Sequence, residues 1–484
     1  MSARPRLVVH AHFYQPMRTD PWTGHVPPDT TAAPYRDWTD RIIAECYRPI
    51  SQRDTLEHTS WNLGPTLTAY LAEHAPEVLA GFGQADRNGG SRGPDGVTAG
   101  GSGIAQSFHH TILPLASVHD RRTEIRWGLR DFEVRFGRRP HAMWLPETAV
   151  DLATLRIMAE EGVEATILAP WQAETAVLDN RRPYRVETGG GHHVNVAFYD
   201  AELSGAISFQ PDVTADADRF VRERIGPRLT TPLPTGAAPL MVLASDGELY
   251  GHHQTFRDLF LDRLVAPDED LGDRGFEVVT LATAAAPEGG HLHPEIRIRE
   301  RTSWSCHHGV LRWSGECPCA HDSRWKAPLR MALERLAGAI DTVSEALAAE
   351  LPGLDDLWAA RNAYVDVVIG AETPDAFAER VLGPASSTAD RDRLLQILEA
   401  QRWRLAMFSS CGWFWEDPWR LETRQVLRCA ARAVRIIDEH AGTHLEHRLV
   451  TDIATLVSPS LGIDGAVIYR HALSEIGQPP PADD

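Results

Sequence analysis

PHAMWLPETAVDLATLRIMAEEGVEATIL, residues 140–168, is the stretch whose reading decides the fold. Residues 140–145 form an apolar run of strand length, closed by Pro146 and Glu147. Asp151 stands where a helix N-cap belongs, because its carboxylate can accept from the open amides of a first turn. A helix is therefore expected over residues 152–161, stopped at Gly162. Residues 163–168 supply a second apolar strand, and strand–helix–strand is the repeating unit of a parallel sheet or barrel.

Working outward, residues 6–12, 194–198 and 239–244 give further strand signals, with another at 278–281. Helices are expected over 61–75, entered through Trp61–Pro65, and over 119–136. Residues 81–103 are rich in glycine without apolar periodicity and are expected to form a long loop. After about residue 324 the pattern turns helical: 327–350, 355–370, 391–408, 420–440 and 444–457. The expected organisation is an α/β barrel over 1–324, a helical bundle over 325–478 that contributes aromatic residues to the site, and a disordered polar tail, 479–484.

The chain has 484 residues, 43% hydrophobic and 24% charged, which suits a globular protein of more than one domain. Its formal charge of −19 argues against nucleic acid as a partner and fits a neutral substrate. No apolar run approaches the length of a membrane span. The amino terminus runs straight into a short strand without a signal-peptide core, so a cytoplasmic location is expected. The only lysine is Lys326, which lies in no phosphate-loop, Schiff-base or bridging context. Six cysteines, expected to be reduced, include Cys306, Cys317 and Cys319 near His307, His308 and His321. That grouping invites a zinc reading, but its spacing matches no standard zinc module, and loop packing of free thiols is expected instead.

Glu147 follows Trp144 and Pro146 at the end of one expected strand. Asp246 opens the polar run Asp246-Gly247-Glu248-Leu249-Tyr250-Gly251-His252-His253 at the end of another. Two carboxylates at the C-terminal ends of barrel strands suit the cleavage of a sugar acetal. The alternatives are an acidic residue favoured by a helix dipole for Glu147 and a solvated glycine turn for Asp246. His10 and His12 fall on one side of the first strand. They read as donors to sugar hydroxyls, with Gln15 and Pro16 shaping the turn, as metal ligands, or as satisfied core histidines. Trp144 beside a carboxylate can stack on a sugar face. Trp61, Trp304, Trp413 and Trp415 are further aromatic candidates, with apolar burial as the bland alternative. His109 and His110 close the glycine-rich stretch, and one of them is expected to face the site.

Together these residues resemble glycoside hydrolase family 57, in particular its less characterised members. His10-Ala11-His12-Phe13-Tyr14-Gln15-Pro16 resembles the family's first region, with two extra residues inside. Trp144–Glu147 resembles the third, which carries the nucleophile, and Asp246–His252 resembles the fourth, whose aspartate is the acid/base. The second region matches in part: His110 and residues 112–115 fit, with Ser102, Gly103 and Gln106 where a glutamate is common. Ser410-Cys411-Gly412-Trp413-Phe414-Trp415-Glu416-Asp417 resembles the fifth.

The resemblance implies an incomplete (β/α)7 barrel followed by a helix bundle. It implies retaining chemistry on an α-glucan through a glycosyl–Glu147 intermediate, with Asp246 as acid/base, and with His10, His12, Gln15, Trp61, His110, Trp144, Glu248, His252, Trp304, Trp413 and Trp415 binding substrate. Neither a metal at the site nor a cofactor is expected. The implied partner is an oligo- or polysaccharide, with no nucleic acid and no membrane; the oligomeric state is left open. A metal-dependent hydrolase or deacetylase using His10 and His12, and a catalytically silent glucan-binding protein, are the other readings.

Overall fold

The computed structural model describes residues 4–89, 91–92, 98–233, 237–267, 274–285 and 292–476. The expected tail, 479–484, and part of the glycine-rich stretch lie outside the described residues. The chain divides into two compact units. One draws on residues 1–15, 35–107 and 132–305, the other on 16–34, 108–131 and 306–484. The expected boundary after residue 324 thus falls inside the second unit, which also takes in two earlier segments.

The first unit is α/β with a mostly parallel sheet. Its strands are β1 (Arg6–Phe13), β2 (Ser60–Leu63), β3 (Ser91–Arg92), β4 (Thr98–Ala99), β5 (Gly103–Gln106), β6 (Met143–Trp144), β7 (Ala165–Leu168), β8 (Tyr184–Gly189), β9 (His192–Phe198), β10 (Leu240–Asp246) and β11 (Glu277–Val278). The order β10-β1-β2-β5-β6, with β11 also on β1, is parallel throughout. β7 and β9 pair in parallel and β8 joins β9 antiparallel, while the parallel bridge Ala142↔Ala165 connects the two sheets. β3 and β4 form a separate antiparallel pair.

β1 is buried over almost its whole length, as expected of a parallel strand covered on both faces. Strand alternation sends Val8, Ile104, Trp144, Ile167, Ala197, Val242 and Ala244 into one shared core. Register then aligns the strand ends. His12 lies opposite both Asn62 and Asp246, and Gln106 lies opposite Trp144. One edge of the sheet therefore collects the C-terminal ends of β1, β2, β5, β6 and β10.

Two local expectations are corrected and one element is added. Residues 60–63 are a strand, and the helix starts only at Pro65 (Pro65–His74), where the missing proline N–H carries no cost. Residues 76–88, half of which were expected to be loop, form the helix Pro76–Asn88, which buries Val78, Phe82 and Ala85 despite its two glycines. The hairpin partner β8 is an addition. Its turn needs three consecutive left-handed residues, supplied by Gly189, Gly190 and Gly191 at φ 89°, 66° and 83°. The helix Leu152–Glu160 forms as expected, with the Asp151 side chain accepting from the Thr154 amide and Gly162 at φ 82° behind it.

The second unit is helical. Its main helices are Lys326–Ala348, Pro374–Leu382, Thr388–Ala406, Leu421–Ala441, Leu445–Ile453 and Gly465–Ser474. Its core includes Phe108, Trp127, Leu357, Phe377, Leu394, Ile397 and Leu405. A buried ion network crosses it, with Asp120 2.9 Å from Arg361 and 2.5 Å from Arg404, and Arg404 2.7 Å from Asp341. Burial alone would push the Asp120 carboxyl up, but Arg404 and Arg361 outweigh it and hold the carboxyl below its ordinary value. Among the described residues, no helix is long and apolar enough to cross a membrane.

Candidate active site

β1 delivers His10 and His12 to the edge of the sheet, both buried. His10 Nε2 and His12 Nδ1 each lie 3.1 Å from Asn62 Oδ1, and Asn62 Nδ2 donates to Gln106 Oε1 at 2.7 Å. Because Oδ1 can only accept, both ring nitrogens facing it carry protons. Burial pushes His10 down to about 3, helped by its neighbour His12, and pushes His12 down to about 4. Both rings are therefore neutral, and they stack on Trp144 at centroid distances of 4.7 and 5.1 Å. The Trp144 indole N–H and Gln106 Nε2 are buried donors without a protein acceptor.

Beyond Trp144 the backbone turns sharply. Glu147 adopts φ 57° and Thr148 φ 45°, in the left-handed region that costs a side-chain-bearing residue about 1–3 kcal/mol. Gln172 secures the turn. Its Nε2 donates to the Thr148 carbonyl at 2.8 Å, and its Oε1 accepts from Thr148 Oγ1 at 2.9 Å and from the Ala169 amide at 2.8 Å. The Glu147 carboxylate is held from a third segment. Trp304 Nε1 donates to Oε2 at 3.2 Å, Ser305 Oγ donates to the same oxygen, and the Trp304 amide donates to the Glu147 carbonyl at 2.9 Å.

Asp246 ends β10. The residue is open to solvent, yet protein atoms crowd its carboxyl. This desolvation raises it to about 7, with the charges of Glu248 and Glu147 adding to the shift. Glu248 is buried and accepts from the Tyr14 amide at 3.0 Å, from Tyr47 OH at 2.5 Å and from Gln15 Nε2 at 3.4 Å. Burial pushes Glu248 up to about 7 against these donors, which pull it down. Three donors favour the ionised form of Glu248, so the proton shared by this acidic pair belongs on Asp246. Gly247 permits the tight spacing, since a Cβ there would lie 2.2 Å from the Phe13 ring. His252 Nδ1 lies 2.6 Å from Glu45 Oε2.

The structure thus gathers His10, His12, Gln15, Trp144, Glu147, Asp246, Glu248 and Trp304 within the first unit. Trp61 is corrected: it is fully buried, its indole donates to Leu56 O and Ser102 Oγ, and it packs on Phe82 and Phe136 as a core residue. Trp413 is likewise corrected to a core residue of the second unit, fully buried and stacked with Phe408. Trp415 is 42% exposed. His110, at φ 58°, bonds Ser410 Oγ through Nδ1 at 2.6 Å within the second unit, and His109 pairs with Glu124 at 2.7 Å.

The metal reading of His10 and His12 finds no convergent donor set. Among the described residues, the one group whose ligand atoms gather closely is Cys306, His308, Cys317 and Cys319. Sequence reasoning missed Asn62, Tyr47, Gln172 and Ser305. Asn62 lay hidden in a segment expected to be helical, and the other three carry no local signal.

Residues 103–298 match the model of glycosyl hydrolase family 57. Over that stretch the chain is similar to family 57 glycosyl hydrolases. Residues 322–476 match a domain of unknown function (DUF3536). No curated protein sequence matches the chain.

Solved structures resemble the fold of this chain at low identity. An exo-type maltose-forming amylase from Pyrococcus sp. ST04 superposes with a TM-score of 0.70 at 15% identity, covering 97% of this chain and 88% of that one. A 4-alpha-glucanotransferase from Thermococcus litoralis gives 0.56 at 15% identity, covering 91% and 60%. A GH57 branching enzyme from Thermococcus kodakaraensis gives 0.56 at 17% identity, covering 97% and 94%.

Proposed function

We propose that this chain is a retaining α-glucan-active enzyme of the amylase or 4-α-glucanotransferase type, built on an incomplete (β/α)7 barrel. The observation that carries the reading is the electrostatic pairing of Glu147 with a raised Asp246. A general acid must hold its proton at neutral pH, and a nucleophile must not. Asp246 meets the first condition through desolvation of its carboxyl and the charges beside it. The Trp304 and Ser305 donors favour the ionised form of Glu147, which is the second.

In the first half-reaction the proton of Asp246 passes to the glycosidic oxygen. The bond from C1 to that oxygen breaks, and a Glu147 carboxylate oxygen bonds to C1. In the second, a water or an acceptor hydroxyl attacks C1, its proton returns to Asp246, and Glu147 leaves. Water gives hydrolysis, and a sugar hydroxyl gives transfer. His10, His12, Trp144 and Gln106 are buried beside the carboxylates, and the Trp144 and Gln106 N–H groups left without a protein acceptor are the donors proposed to meet sugar hydroxyls. Trp415, with its exposed ring, is a candidate stacking surface for a further sugar. The six free cysteines suit a cytoplasmic setting.

The test is the product profile from maltoheptaose, with Glu147→Gln and Asp246→Asn alongside. Shorter sugars alone, absent from both variants, identify a hydrolase that uses this pair. Shorter and longer sugars together identify a glucanotransferase. Unchanged activity in either variant removes the assignment.

A further inference from the structure

Two tight turns in the second unit converge. Gly309 N donates to Cys306 O at 3.0 Å, closing the turn that carries Cys306 and His308. Ala320 N donates to Cys317 O at 3.1 Å, closing the turn that carries Cys317 and Cys319. Each turn thus presents two soft or borderline donors. The four ligand atoms lie within 4.8 Å of one another. Cys306 Sγ is 3.4 Å from Cys317 Sγ and 3.6 Å from Cys319 Sγ. His308 Nδ1 is 3.2 Å from Cys319 Sγ, 3.7 Å from Cys317 Sγ and 3.8 Å from Cys306 Sγ.

These spacings can be compared with a known geometry. Tetrahedral zinc with Zn–S of about 2.3 Å and Zn–N of about 2.0 Å requires donor separations of about 3.8 Å between sulfurs and about 3.5 Å between sulfur and nitrogen. Each of these five separations falls within a few tenths of an ångström of those edges. Cys306 and Cys317 are buried at the floor of the cluster, while Cys319 and His308 are exposed, which leaves an entry path for the ion.

We propose that Cys306, His308, Cys317 and Cys319 bind a structural zinc ion. Four protein ligands close the coordination sphere, so the ion holds the 306–319 loop rather than acting on substrate. The sequence spacing hid the site because each pair of donors is separated by one residue, closer than in the usual zinc modules.

The test uses the full-length, untagged protein purified without chelator. Elemental analysis is expected to find about one zinc per chain. Release of that zinc by an organomercurial should track the titration of the cluster's thiols, which should resist a disulfide reagent in the native state. Grown on cobalt, the protein should show thiolate-to-cobalt charge transfer and tetrahedral ligand-field bands. His308→Ala and Cys319→Ser should lower the metal content, and Cys411→Ser should leave it unchanged. Wild-type protein with only trace zinc and freely reactive cluster thiols overturns the proposal, as does a Cys306–Cys317 disulfide found by mass spectrometry. If the ligand variants fail to fold, the wild-type metal content and thiol protection decide alone.

Discussion

Trp304 holds Glu147 at two points, with its indole N–H on the carboxylate Oε2 at 3.2 Å and its amide on the carbonyl at 2.9 Å. One residue thereby fixes both the side chain and the backbone of a turn that already sits in the left-handed region. Such strain persists only where surrounding structure over-determines it, and it concentrates at working sites. Trp304→Phe keeps the amide contact and loses the indole one. A hydrogen bond to a charged group contributes about 1.5–3 kcal/mol, so kcat on maltoheptaose should fall roughly 10- to 100-fold. A loss of melting temperature with kcat intact would assign the indole to packing alone.

Gln172 ties the same turn from the opposite side through Thr148 and Ala169. Gln172→Leu leaves the Thr148 carbonyl and hydroxyl buried without this partner, at a cost of about 1–3 kcal/mol each. Denaturant unfolding should show that loss, and kcat should fall more than KM rises because Glu147 loses its fixed position. An unchanged kcat in a destabilised variant would reduce Gln172 to scaffold.

The pH profile follows from Asp246 being raised to about 7. As a general acid it acts in the protonated form, so kcat/KM should decline on the alkaline side of neutrality. Glu248→Gln removes a negative charge that disfavours ionisation of Asp246, which lowers the Asp246 pKa. The alkaline limb should therefore move to lower pH. A limb that stays in place, or moves up, contradicts the coupling of these two carboxylates.

Stability should carry the same signature. Asp246 and Glu248 have folded pKa values of about 7, well above their unfolded values of about 4. Between those limits the native state binds more protons, so their contribution is fully present below about pH 4 and is lost as pH rises through 7. Asp246→Asn should remove part of this dependence, melting higher than wild type at pH 8 while its turnover collapses. A variant less stable than wild type at pH 8 would show that the carboxylate is not destabilising there.

Much of the site was legible in the sequence because its decisive parts are local. A short apolar strand running straight into Trp144-Leu145-Pro146-Glu147, and another running into Asp246-Gly247-Glu248, mark strand ends by composition alone. The β-α-β reading of 140–168 rested on an N-cap and a glycine stop that act within one turn of the backbone. The strand at 60–63 was not legible, since Ser60-Trp61-Asn62-Leu63 is short, half polar and leads directly into a proline that can open a helix.

The sequence by itself determined the α/β class of the first unit, the helical character of the second, and the two carboxylates, because apolar periodicity and strand-end polarity are properties of neighbours in the chain. Only the tertiary structure decided what surrounds those carboxylates. Ser305 reaches Glu147 across 158 positions and Tyr47 reaches Glu248 across 201. It also showed that Trp61, Trp144 and Trp413 are all fully buried, with Trp144 alone of the three stacked against two neutral histidines. Desolvation and charge coupling act through space, so the raised pKa of Asp246 is set by the packing of the first unit and not by the order of its residues.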